Sequence, residues 1–170
     1  MPTKPKLLME GGFAKYAEVY RNGLLEDTLP FWIRNCVDRK YGGYIFCLDR
    51  DGSVIDTDKG IWTHGRFIWL LSTLYTQVET REEWLELARH GLDFLRRYGF
   101  DQDGRMFFIV TKDGRPVRKR RYIFSEAFAI SALSAFSKAS GEMKFQKEAE
   151  TLFKFIQTLL NEPGVLPPKL

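Results

Sequence analysis

The stretch KGIWTHGRFIWLLSTLY, residues 59–75, decides how the rest of this chain is organised. It follows a turn-rich segment and is predicted to form an apolar helix in which one arginine, Arg66, stands among aromatic side chains. Burying a guanidinium without a partner is costly, so Arg66 must either reach solvent or face a cavity that holds a ligand or a carboxylate. The prediction of function depends on which of these is true.

The same pattern occurs a second time at a shift of 62 residues, which places the turn Asp51-Gly52 on Asp113-Gly114. Each unit is predicted to contain a β-hairpin, an apolar helix and an amphipathic helix. Stacked helix pairs of this kind form an α/α solenoid or toroid, with the apolar helices inside and the hairpins along one rim. The predicted elements are a leading helix over 12–37 that Pro30 bends or splits, hairpins over 38–56 and 101–118, and helices over 61–78, 80–98, 124–139 and 143–160.

Two units and a leading helix make about five helices, which we expect to form a single all-α domain over residues 1–170. Repeat proteins normally carry polar capping helices at their ends, and no such cap follows Leu160. The sequence therefore predicts an incomplete ring, as a truncated or partial barrel would give. The two apolar helices are apolar nearly all round, which predicts that both of their sides are covered.

The amino-acid composition indicates a globular protein but does not identify its function. Of the 170 residues, 44% are apolar and 28% charged, which is typical of a globular protein, and the net charge of +4 is too small to indicate nucleic-acid binding. The basic run RPVRKRR, residues 115–121, is predicted to be a solvated hairpin leg. No stretch resembles a signal peptide or a membrane span, and Cys36 and Cys47 fit no metal or disulfide pattern, so we expect a soluble cytoplasmic protein with reduced thiols.

Three short motifs carry a resemblance to a known family. They are the W-x-x-G-R that ends at Arg66, the D-G-R-P over 113–116, and the F-S-E-x-F over 124–128. Together they resemble the N-acylglucosamine 2-epimerase family, which also contains cellobiose 2-epimerases and aldose–ketose isomerases, and the likeness extends over 16–160. The F-S-E form is more similar to the N-acylhexosamine enzymes. The resemblance implies the N-terminal part of an (α/α)6 barrel from a chain more than twice this length.

The resemblance also implies a chemistry. In C2 epimerisation a base removes the proton beside the carbonyl of the open sugar and an acid returns a proton to the other face, and histidine suits both roles. In the family, two histidines from the later part of the barrel perform these transfers, and no metal or other cofactor is needed. This chain has only His64, where many members have glutamine, and His90. We therefore expect no catalytic residue within it and no activity from the chain alone.

The residues predicted to bind an N-acylhexosamine sugar are Arg66, Trp62, Phe124 and Glu126. Arg66 is implied by the family motif, whereas the competing hypothesis is a structural arginine paired with Glu126 on the next inner helix. Trp62 and Phe124 lie near the rim, where aromatic rings can stack on sugars, or they pack in the core.

Three further side chains are predicted to have structural roles. Trp69 lies deeper along its helix and is predicted to be core. His64 is predicted to be a rim residue with satisfied hydrogen bonds, with a neutral base as the alternative, and His90 is predicted to lie on the surface.

Two other functions remain open at the level of the sequence. One is a disaccharide 2-epimerase or an aldose–ketose isomerase built on the same barrel. The other is a non-catalytic helical-repeat module that binds partners through an open barrel edge, and a homo-oligomer is compatible with either. Neither nucleic acid nor a membrane is expected as a partner.

Overall fold

We describe the fold from a computed structural model, which defines residues 12–119 and 122–166. The helices are α1 (Gly12–Asn22), α2 (Leu29–Cys36), α3 (Ile61–Gln77), α4 (Glu82–Tyr98), α5 (Phe124–Ser140) and α6 (Met143–Asn161). The strands are β1 (Cys47–Leu48), β2 (Val54–Asp56), β3 (Lys59–Gly60), β4 (Ile109–Val110) and β5 (Pro116–Arg118). The helices and hairpins predicted from the sequence are thus present in the predicted order.

The leading helix is divided where the sequence predicts a disturbance. Between α1 and α2 the chain forms a π-helical segment, Gly23–Thr28, in which the amide of Leu29 donates to the carbonyl of Leu24. Pro30 follows directly, and proline crowds the carbonyl four residues before it while lacking an N–H of its own. The wider π turn accommodates this loss without breaking the helix.

The inner helices α3 and α5 pack tightly against each other, α4 packs on α3, and α6 packs on α5. The tight approach depends on Gly65, because a Cβ atom there would lie 2.8 Å from both the backbone carbon and the oxygen of Phe128. The glycine of the W-x-x-G-R motif therefore sets the distance between the two inner helices. This arrangement confirms the predicted stacking of helix pairs.

The hairpins lie at one end of the helices, as predicted, but they are also joined to each other. Strand β3 pairs with β4 of the second hairpin, which makes a three-stranded sheet in the order β3-β4-β5. The fully buried Lys59 at this joint donates to Asp38 at 2.7 Å, to the carbonyl of Gly42 at 2.6 Å and to that of Lys112 at 2.9 Å. Both rim loops are thus tied to one ammonium group.

Each inner helix also holds the rim loop that precedes it by one hydrogen bond. In the first unit, the Nε2 atom of His64 accepts from the amide of Tyr44 at 2.9 Å. In the second unit, Oε1 of Glu126 accepts from the amide of Met106 at 3.1 Å. The 62-residue shift places Tyr44 on Met106 and His64 on Glu126. The same contact therefore occurs twice, with different side chains.

Three sequence predictions about exposure are wrong in this structure. Trp69 is 43% exposed rather than core, because its ring projects from the face of α3 that lies opposite α4. For the same reason the inner helices are not covered on both sides within the described residues: Arg66 and Ser131 are exposed on that face as well. His90 is half-buried rather than on the surface, with Nε2 at 3.1 Å from the carbonyl oxygen of Gly43.

The basic leg of the second hairpin is exposed over Arg115–Lys119, as predicted, and Lys119 pairs with Asp101 at 2.8 Å. Arg120 and Arg121 lie outside the described residues. Across 12–119 and 122–166, none of the helices has both the length and the apolar character needed to cross a bilayer.

Candidate functional site

The exposed face of α3 borders a cavity of about 390 Å³, within the range of roughly 300–1,000 Å³ found for small-molecule sites. The cavity lies between α2, the first rim loop and α3. Its lining residues are Thr28, Trp32, Phe46, Trp62, Thr63, Arg66, Phe67, Trp69 and Leu70. Two of the predicted site residues, Trp62 and Arg66, therefore share one concave surface.

Arg66 is the cation of this cavity. Its side chain is exposed, and no hydrogen bond or ion pair to it is found among residues 12–119 and 122–166. The hypothesis that Arg66 pairs with Glu126 is wrong in this structure, because Glu126 is held by Arg105 instead. A guanidinium with five donors in a mostly apolar cavity is suited to oxygen atoms of a ligand.

Glu126 is 1% exposed and does not line the cavity. Its Oε1 atom accepts from Nε of Arg105 at 2.7 Å as well as from the amide of Met106. Arg105, which is itself 8% exposed, also donates to the carbonyl of Tyr122 at 2.5 Å. Tyr122 has a φ of 52°, so this network holds a left-handed residue at the entrance to α5. Its geometry assigns Glu126 a structural role.

Trp62 and Phe124 form an aromatic cluster at the rim end of the two inner helices. Their ring centroids lie 5.3 Å apart in an edge-to-face arrangement, and Phe128 lies 5.6 Å from Trp62 and 5.3 Å from Phe124. Phe124 remains 37% exposed but does not line the cavity. It supports Trp62 from the side, and Trp62 presents its ring to the cavity.

His64 is fully buried, and both of its ring nitrogens are occupied. Nδ1 lies 2.8 Å from the carbonyl oxygen of Gly60, which fixes the proton on Nδ1 and leaves Nε2 as the acceptor for Tyr44. Burial, helped by smaller contributions from the charges of Lys59 and His90, lowers the pKa of His64 to about 3. The prediction of a satisfied rim histidine is confirmed, and the alternative of a rim base is not supported.

Trp32 and Phe46 also line the cavity, although neither was predicted from the sequence as a site residue. Trp32 is on α2, and its ring lies 5.9 Å from that of Phe46, which in turn packs 5.5 Å from Phe67. Both Trp32 and Phe46 are half-buried. Phe46 lies just before β1, and no local pattern distinguishes it, because its place in the cavity depends on how the rim loop folds against α2.

Neither of the two cysteines lines the cavity. Cys36 is buried, and burial raises the pKa of its thiol to about 12, while Cys47 is exposed and also unpaired. Among the residues that the structure describes, no three His, Cys, Asp or Glu side chains lie close enough to hold a metal ion.

The sequence of this chain is similar to that of known proteins of one family. A family described as N-acylglucosamine 2-epimerase (GlcNAc 2-epimerase) matches residues 43–166. The N-acylglucosamine 2-epimerase of Mus musculus is 37% identical over 147 residues, which are 84% of this chain and 35% of that protein. The cellobiose 2-epimerase of Eubacterium cellulosolvens is 33% identical over 148 residues, 85% of this chain and 36% of that protein.

The structural comparison agrees with the sequence comparison. The structure of cellobiose 2-epimerase from Bacillus thermoamylovorans B4167 superposes with a TM-score of 0.78 and 30% identity, covering 86% of this chain and 38% of that one. Its fold is an (α/α)6 barrel, so the stacked helix pairs seen here form an arc of such a toroid. The chain spans about a third of the length of the curated relatives that it matches.

Proposed function

This chain belongs to the N-acylglucosamine 2-epimerase family, and from that premise we propose that it forms part of the substrate-binding wall of a sugar 2-epimerase. The reaction would interconvert an N-acylhexosamine and its C2 epimer. We also propose that residues 1–170 act as one domain within an (α/α)6 barrel. The observation that carries the proposal is Arg66, a cation without a protein partner in the described residues, set among aromatic side chains in a cavity.

Arg66 would act as a substrate-holding residue. Removal of the C2 proton turns the carbonyl at C1 into an enolate whose negative charge lies on the former carbonyl oxygen, and fixed positive charge next to this oxygen lowers the barrier. The guanidinium donates hydrogen bonds but cannot itself give up a proton in the working pH range. It can therefore orient and stabilise the open sugar, while other groups must move the proton.

Neither histidine of this chain is placed to move that proton. His64 uses both ring nitrogens within the fold and stays neutral down to about pH 3. The Nε2 atom of His90 faces the carbonyl of Gly43, and His90 does not line the cavity. We propose that the base and the acid lie outside this chain, as the resemblance implies.

Trp62, supported by Phe124, would complete the wall. Aromatic rings stack on the apolar faces of sugars, and the ring of Trp62 borders the same cavity as Arg66. Glu126 is left out of the proposed contacts because it is buried and bound to Arg105.

Substitution of Arg66 tests the proposal directly. Binding of N-acetylglucosamine to the 170-residue chain is measured by calorimetry or by NMR titration, for the wild type and for Arg66→Ala. Because hydrogen bonds to a charged group contribute about 1.5–3 kcal/mol, we expect the variant to bind roughly 10- to 150-fold more weakly.

The matched control is Arg50→Ala, which removes an exposed arginine from the first hairpin, away from the cavity. It is expected to leave the affinity unchanged. Equal affinities for the wild type and Arg66→Ala would contradict the proposed contact. Binding of cellobiose or mannose in preference to N-acetylglucosamine would favour the alternative members of the family.

A further inference from the structure

A second cavity lies between α2 and the start of α4, and we call it the arginine cavity. Its volume is about 440 Å³, and it shares no lining residue with the cavity of Arg66. Its lining includes Arg34 from α2, Arg39 from the loop after α2, and Arg81 from the residue before α4. Among the described residues, Glu83 is the one carboxylate in this lining. Three guanidinium groups therefore share a single concave surface with one carboxylate.

The protein does not neutralise the positive charge of these arginines. Arg34 and Arg39 are exposed, and neither side chain makes an ion pair or a hydrogen bond within the part of the chain that the structure describes. Arg81 pairs with Glu79, but Glu79 also pairs with Arg21. Like charges that line one cavity repel each other, so an anion bound between them would lower the energy of the fold.

The surface between α4 and α6 shows how the fold pairs such arginines elsewhere. The starts of α4 and α6 are separated by 61 residues, so Arg81 before α4 corresponds to Glu142 before α6. Glu142 forms an ion pair with Arg89 of α4, and Glu148 accepts two hydrogen bonds of 3.0 Å from Arg96. No ion pair joins α2 to α4 in the described residues. The position that carries a carboxylate before α6 thus carries a third arginine in the arginine cavity.

We propose that the arginine cavity binds a small dianion, either free phosphate or the phosphate group of a monoester. Guanidinium groups donate parallel hydrogen bonds to phosphate oxygens, and clusters of arginine are a common means of recognising phosphate. Trp84, the one aromatic side chain in the described lining, is buried, and the guanidinium of Arg81 lies 4.8 Å from its ring centroid. The cavity therefore fits a phosphate group but offers no free ring for a nucleobase to stack on. This site is additional to the proposed sugar site and does not depend on it.

Titration of the 170-residue chain with inorganic phosphate at constant ionic strength tests the proposal. Dissociation constants are measured by NMR or calorimetry for the wild type and for the double variant Arg34→Gln with Arg39→Gln. Because a solvent-exposed charge pair can contribute about a factor of five, we expect phosphate to bind roughly 25-fold more weakly to the double variant. The matched control is Arg50→Gln with Lys154→Gln, which removes two exposed cations outside the cavity and should leave the affinity unchanged.

Glu83→Gln should change the affinity in the opposite direction. It removes the carboxylate of the cavity, so we expect phosphate to bind about 5-fold more tightly. A folding defect cannot produce such a gain, so this variant keeps the test valid even if the double variant is unstable. Glu162→Gln, which removes an exposed carboxylate beyond α6, is the control and should leave the affinity unchanged.

Three results would overturn the proposal. The first is the absence of saturable binding at millimolar phosphate. The second is an equal loss in the double variant and in its control, which would indicate a general effect of net charge. The third is loss of phosphate binding in Arg66→Ala but not in the double variant, which would place the anion in the other cavity. None of these results decides the proposed function, which is tested by the binding of sugar to Arg66→Ala.

Discussion

The two repeat units hold their rim loops by the same contact, but the chemistry of the acceptor differs. In the first unit a neutral imidazole, His64, accepts from the amide of Tyr44, and in the second unit a carboxylate, Glu126, accepts from that of Met106. A buried amide must find an acceptor, and a residue in the first turn of each inner helix supplies it. The fold therefore specifies an acceptor at this position and not a residue type.

The difference determines what else each unit needs. A neutral acceptor can be buried without a counter-ion, so His64 requires only the carbonyl of Gly60 at its other nitrogen. A buried carboxylate requires a cation, which Arg105 provides at 2.7 Å. The second unit therefore depends on a buried ion pair, and the first unit has no equivalent of it. Four variants test how the two units differ, three of them at these acceptors and one on the exposed face.

The largest effect is expected for Glu126→Gln. The amide side chain keeps an acceptor for Met106, but the nearly buried Arg105 loses its carboxylate. Removing one partner of a buried pair typically costs about 3–5 kcal/mol, and we expect the free energy of unfolding to fall by that amount in urea denaturation. A loss below about 1 kcal/mol would show that the carboxylate is needed only as an acceptor, like His64.

The double variant Arg105→Met with Glu126→Gln separates charge from hydrogen bonding. It removes both charges together, so part of the stability should return even though the bond to Tyr122 is lost. A double variant as unstable as Glu126→Gln alone would argue that the bond to Tyr122 matters more than the ion pair.

An intermediate effect is expected in the pH dependence of the first unit. The pKa of His64 is about 3 in the folded chain and near 6.5 when it is unfolded, because burial disfavours the charged imidazole. Below pH 6.5 the unfolded chain takes up a proton that the folded chain does not, so stability falls as the pH decreases. The loss attributable to His64 between pH 7 and pH 5 is on the order of 1–2 kcal/mol.

His64→Gln should remove this component while keeping an acceptor for Tyr44. Thermal unfolding of the variant is expected to change less between pH 7 and pH 5 than that of the wild type. His90→Gln, which alters a half-buried histidine that does not accept from the amide of Tyr44, serves as the control. Identical pH profiles for the wild type and His64→Gln would mean that the imidazole does not remain neutral in the fold.

The smallest change in stability is expected for a substitution on the exposed face of α3, where the two units carry different residues. Trp69 is 43% exposed, and the 62-residue shift places Ser131 at the same position in the second unit. Because the indole is 43% exposed and the two residues have similar helix propensities, Trp69→Ser should lower stability by only about 1 kcal/mol. A loss above about 2 kcal/mol, measured by urea denaturation, would show that Trp69 packs as a core residue after all.

Periodicity and turn residues were sufficient to predict the helices, the hairpins and the stacked arrangement. The 62-residue repeat even placed His64 and Glu126 at equivalent positions. These features depend on local patterns, such as the apolar faces of helices and the glycines at turns, which a sequence displays directly.

Contacts between distant segments were not predictable in the same way. Glu126 forms its ion pair with Arg105 from the second rim loop. No rule of sequence spacing favours Arg105 over Arg66 as the partner of Glu126. The exposure of Trp69 was missed because an apolar pattern shows that a helix has apolar faces but not which face remains open. Phe46 was missed since its role depends on how a rim loop folds against α2.

The chemical reactivity of Lys59 can report on separation of the two rim loops. Each of its three N–H donors meets one oxygen, two of them from the first rim loop and the third from the turn of the second hairpin. A reagent that acylates free amines can reach this nitrogen only when the two hairpins separate and the ammonium loses its proton. Its labelling, followed peptide by peptide in a mass spectrometer, would therefore measure how often the rim comes apart while the exposed lysines react at once.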